Sequence, residues 1–95
     1  MYSAVLQRVR QKVRAGIYHL TQHAIEEMNH DDFFVEDLEH GIFSGKITER
    51  QKDLVTGEWK YVIIGNSTQK HKQIGVVLKE KHNVIIITVF WKVSK

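Results

Sequence analysis

With 95 residues, the chain can bury one modest core and has no room for a second domain. Apolar residues make up 42% and charged residues 26%, a balance that excludes a disordered or fibrous chain. The lack of cysteine removes disulfides, thiolate metal sites and cysteine nucleophiles together, and a net charge of +3 points to a polyanionic partner, either nucleic acid or an acidic protein.

Val5, Val9 and Val13 recur at i, i+4, i+8 with Leu6 beside them, which predicts an amphipathic first helix ending at Gly16. Arg8, Arg10, Lys12 and Arg14 lie between the apolar positions with no acid among the first fourteen residues, whereas residues 26 to 39 hold a large share of the acids. The basic face reads either as a phosphate-binding or acidic-partner surface or as plain solvated helix. Charges stand where a signal peptide needs its apolar stretch, and no apolar run approaches the ~18 residues of a membrane span, so a cytoplasmic location is expected.

Ile17 to Leu20 reads as a connector, and Thr21 as the N-cap of a short second helix that turns Ala24, Ile25 and Met28 inward. Asn29-His30-Asp31-Asp32 is expected to break it. Val35, Leu38 and Ile42 then repeat at helical spacing, with Glu36 and Asp37 favourable near the helix start and Gly45 suited to a left-handed stop. Beyond Gly45 the period changes from 3.6 to 2 and β-branched residues dominate, predicting strands at Lys46 to Arg50, Trp59 to Ile64, Ile74 to Leu78 and Val84 to Trp91. Short links between them predict an antiparallel meander with the helices on one face. The last strand is apolar on both faces and is expected to be central or covered on both sides. The fold class is therefore α+β, one domain over residues 1–95, with N-terminal helices packed on a four-stranded antiparallel sheet.

Leu20-Thr21-Gln22-His23-Ala24-Ile25-Glu26-Glu27-Met28, then Val35-Glu36-Asp37-Leu38 running to Gly45-Lys46-Ile47, then Ile74-Gly75-Val76-Val77 and Ile86-Ile87-Thr88-Val89 resemble the domain of unknown function numbered 4258. The resemblance spans roughly residues 17 to 90. It departs at His30, where the family often shows Arg, and at Phe34, where it often shows a capping Ser. That family is similar to the barnase, EndoU, colicin and RelE group of ribonucleases. The resemblance thus implies a RelE-like or barnase-like fold and the toxin of a type II toxin–antitoxin system. Such a toxin is a metal-independent endoribonuclease that cleaves mRNA, inhibits translation and leaves a 2′,3′-cyclic phosphate. It implies no cofactor. The partners it implies are RNA, including ribosome-bound mRNA, and a cognate antitoxin, sometimes with a zinc-ribbon segment of the YgiT kind.

Several residues suit that chemistry. His23 has the side chain whose ordinary pKa lies nearest neutrality, which fits proton transfer, although a helix-start histidine also has a plain structural use. Arg50 and Lys60 on strands would stabilise extra negative charge on a phosphoryl group, and Thr88, a hydroxyl in an otherwise apolar strand, would orient it. Trp59 and Tyr61 are candidates for stacking a base, and Lys70 and Lys72 for phosphate contacts. His23, Glu27 and His30 offer ligand types at i, i+4, i+7, but the spacing matches no compact zinc-protease motif and no metal site is expected. With no evident carboxylate partner for His23, a non-catalytic RNA- or protein-binding domain of the same fold is the alternative.

Overall fold

The structure, a computed structural model, describes residues 2–68 and 72–92. In chain order it comprises α1 (Ser3–Arg14), β1 (Tyr18–Leu20), α2 (Gln22–His30), α3 (Val35–Ser44), β2 (Lys46–Lys52), β3 (Trp59–Asn66), β4 (Gln73–Glu80) and β5 (Val84–Lys92). Helix α1 buries Leu6, Val9 and Val13, the stripe its spacing predicts, and stops where Gly16 takes φ +77°. Thr21 caps α2 as expected, its hydroxyl accepting the Ala24 amide at 3.1 Å. Helix α2 runs on through Asn29 and His30, and the chain turns at Asp31 and Asp32 instead, with Asp32 at φ 52°. Helix α3 begins at Phe34, which has no capping side chain of its own. Asp37 supplies the reciprocal half of a capping box, reaching back to accept the Phe34 amide at 3.2 Å.

The fold is α+β, but the sheet differs from the four-stranded antiparallel one expected. It has five strands in the order β1-β5-β4-β3-β2 and is mixed. Strands β2 to β5 pair antiparallel in sequence, while β1, read from the sequence as a connector, pairs parallel to β5 with Tyr18 opposite Val84 and Leu20 opposite Ile86. Three residues carry too little pattern to announce a strand; the partner's free edge makes it one. Beyond β1, side chains of α2 continue the pairing along β5, with Thr21 Oγ1 donating to the Ile87 carbonyl (3.1 Å) and Glu27 Oε1 accepting the Val89 amide (3.1 Å). Strand β5 is thereby flanked on both sides.

One core forms between the helices and one face of the sheet, where Val9, Leu38 and Ile42 meet Ile63, Ile74, Val76, Leu78, Ile86 and Val89. Helix α3 lies so close to β3 that a Cβ on Gly65 would stand 2.1 Å from the Gly41 carbonyl oxygen. Gly45 is not left-handed, as expected from its place after α3, but extended (φ −93°, ψ −175°). It is required for closeness instead, since a Cβ there would be 2.6 Å from both the Gly41 and Ile64 oxygens.

Candidate functional site

Residue His23 stands on the first turn of α2, exposed, with Nε2 3.4 Å from Glu27 Oε2 one turn on. The other oxygen of Glu27 is fixed by the Val89 amide, so the carboxylate is anchored to the sheet and turned toward the imidazole. This is the carboxylate partner that the sequence did not reveal. The i, i+4 spacing is its only signal in the sequence, where it also offers a metal-ligand set. That set does not converge: His30 bonds Asp31 at 2.9 Å, which holds the imidazole pKa above its ordinary value. Among the described residues no three His or acidic side chains cluster as a metal site.

Arg50 and Tyr61 are opposite one another on β2 and β3, on the side of the sheet that the helices cover. The Arg50 guanidinium lies 3.9 Å from the centre of the Trp59 ring and 5.9 Å from Tyr2, while Lys52 reaches Trp59 from 5.6 Å. Tyr61 is half-buried and meets Tyr2 edge-on at 6.1 Å, so it packs rather than presenting a free face. Trp59 is 41% exposed and, with Arg50 and Lys52, makes a cationic and aromatic platform at the outer edge of the sheet. Tyr2 and Lys52 are parts of this platform that the sequence reading did not single out.

Lys60 and Thr88 lie on the opposite, helix-free face, both half-buried, Thr88 opposite Val77 and Lys60 opposite Gln51. The four residues expected to act on one phosphate are therefore divided. Arg50 is on the other face from Lys60 and Thr88, and three strand spacings, roughly 14 Å, separate β5 beside His23 from β2.

The basic residues of α1, expected to face an anionic partner or solvent, each have a partner in the chain. Arg8 and Lys12 hold Glu80 at 3.0 and 2.6 Å. Burial pushes the Glu80 carboxyl up, but Lys12 and Arg8 outweigh it and leave its pKa below the ordinary value. Arg10 donates to the carbonyls of Ile42 (2.9 Å) and Gly45 (2.7 Å) at the end of α3, and Arg14 stacks on Phe43 at 5.0 Å. Lys72 is exposed, 5.0 Å over Trp91. Lys70 lies outside the described residues. No described helix is long and apolar enough to cross a membrane.

The β2–β3 hairpin carries a second charged network. Lys79 bonds Asp53 at 3.0 Å and Glu58 at 2.8 Å, and Lys81 also pairs with Glu58. These contacts, helped at Asp53 by the Val55 and Thr56 amides, pull both carboxyl groups down to about 2.

A family described as a domain of unknown function, DUF4258, matches residues 20–91 of the chain. No curated protein and no solved structure matches it.

Proposed function

The chain belongs to the DUF4258 family, and from that premise we propose that it is a metal-independent endoribonuclease, the toxin of a toxin–antitoxin pair. The observation that carries this reading is the His23–Glu27 pair, because a solvent-accessible imidazole within ion-pair distance of an anchored carboxylate is suited to proton transfer. In this scheme His23 takes the proton of a ribose 2′-hydroxyl or gives one to the leaving 5′-oxygen, and the products are a 2′,3′-cyclic phosphate and a 5′-hydroxyl. In this reading the Arg50, Trp59 and Lys52 platform, set apart from His23, takes nucleotides flanking the cleaved one. There a base stacks on Trp59 and phosphates meet the cations. Lys60 and Thr88 then contact the strand from the helix-free face near β5 and β3. The antitoxin, an acidic protein or one with a zinc ribbon of the YgiT kind, belongs to the same proposal.

The division of Arg50, Lys60 and Thr88 between two faces favours one other reading, an RNA-binding domain of this family that does not cleave. Incubating the purified chain with RNA in excess chelator and resolving the product ends separates the two. Cyclic-phosphate ends that disappear with His23→Ala are expected. RNA that is retained by the protein with its ends intact selects the binding domain.

A further inference from the structure

Among the described residues, two exposed apolar features stand out, at opposite edges of the sheet. The first is the tip of the β2–β3 hairpin, where Leu54 and Val55 are each 94% exposed. The turn that carries them is firmly built: Asp53 Oδ1 accepts the Val55 amide at 2.9 Å and the Thr56 amide at 3.3 Å, and the Gly57 amide donates to the Asp53 carbonyl at 2.7 Å. Lys79 ties both ends of the turn to β4 through Asp53 and Glu58. A tip ordered in advance loses little freedom when it is bound.

The second feature is a groove of about 300 Å³ beside α2 and the start of α3, lined by Leu20, Ile25, Met28, Phe33, Phe34 and Val35. Phe34 is 62% and Val35 44% exposed at its rim. The charges around the two features are opposite. Glu36 lines the groove, Glu26 and Asp32 adjoin its lining residues in the chain, and residues 15 to 45 include no Lys or Arg. At the hairpin, Lys79 and Lys81 neutralise Asp53 and Glu58, and the remaining charges on the strand ends nearest the tip, Arg50, Lys52 and Lys60, are cationic.

We propose that the Leu54–Val55 tip of one copy of this chain seats in the α2–α3 groove of a second copy. A single contact of that kind covers both apolar features and brings Arg50 and Lys52 toward the acids of the groove, so shape and charge select the same partner. Since tip and groove are different surfaces, the contact is head-to-tail. It closes as a dimer when both copies exchange tips and extends into short chains when they do not. The proposal is independent of the ribonuclease reading.

Sedimentation of the purified chain over a micromolar to millimolar series is expected to show reversible association. Leu54→Ser with Val55→Ser on one surface, or Ile25→Ser with Phe34→Ser on the other, is expected to weaken it by about tenfold or more, the scale of losing a buried anchor. Mixing the two variants restores one intact tip and one intact groove, and a heterodimer is expected where neither variant associates alone. If the groove variant does not fold, Glu36→Lys takes its place, and its weakened association is recovered by mixing with Lys52→Glu. A wild-type chain that stays monomeric throughout, or variants that fail to complement when mixed, overturns the proposal. Tip-dependent binding to phosphatidylserine vesicles by a monomeric chain overturns it as well, in favour of a lipid surface.

Discussion

At the scale of single residues, the proposed ribonuclease reading gives His23 a proton-transfer role and Glu27 an orienting one. His23→Ala removes an exposed side chain, so cleavage is expected to fall about 10²- to 10⁴-fold with the thermal midpoint unchanged. Glu27→Gln keeps an acceptor for the Val89 amide but takes the negative charge from the imidazole. Cleavage should therefore fall at constant RNA affinity while the fold persists, and an unchanged rate would falsify the orienting role. Asp37 is a different case. It is fully buried and accepts three hydrogen bonds, from the Phe34 amide, the Thr68 amide (3.1 Å) and the Thr68 hydroxyl (2.7 Å), which join the start of α3 to the segment after β3. Asp37→Ala is expected to cost roughly 3 kcal/mol in chemical denaturation, because it removes a helix cap and charge-assisted bonds at once.

Among the elements, the α3–β3 contact and the β2–β3 hairpin are the most sensitive. A Cβ on Gly41 meets the movable end of the Ile74 side chain, whereas a Cβ on Gly65 meets the Gly41 backbone. Gly65→Ala is therefore expected to destabilise more than Gly41→Ala, with overpacking costing about 1 to 3 kcal/mol where the neighbour can move and more where it cannot. Comparing the two unfolding midpoints checks this. The hairpin answers to acid. Since Asp53 and Glu58 titrate at about 2 when folded, below their ordinary values, their ion pairs contribute stability that is complete above the ordinary carboxylate range and is lost as pH falls toward 2. Amide exchange at Val55 and Thr56 should accelerate over that interval while the core strands stay protected.

For the whole molecule, charge is the organising quantity. The cations of α1 hold the fold together, and those of β2 remain at the surface. Arg10→Ala is expected to lower the thermal midpoint, since two carbonyls at the end of α3 lose their donor. Under the proposed RNA-binding role, Arg50→Ala is expected instead to leave the midpoint in place and to weaken RNA binding, reducing the salt slope of the affinity by about 1. Measuring binding at several salt concentrations for both variants tests the assignment, and equal losses of RNA affinity would return α1 to the interface.

How much of this was legible without the structure depends on the range of the interaction concerned. The order of helices and then strands, the Thr21 cap, the stop at Gly16 and the buried stripe of α1 are set by neighbours within a few residues, and the sequence determined them. The family and one proton-transfer candidate were legible in the same way, from contiguous motifs. The tertiary structure alone decided the rest. Tyr18 to Leu20 become a strand only beside Val84 to Ile86. Arg10 and Arg8 find partners 35 and 72 residues away, and the face on which Arg50, Lys60 or Thr88 emerges follows from register across the sheet. Local periodicity fixes which residues of a strand point the same way, but only pairing fixes which side of the molecule that is.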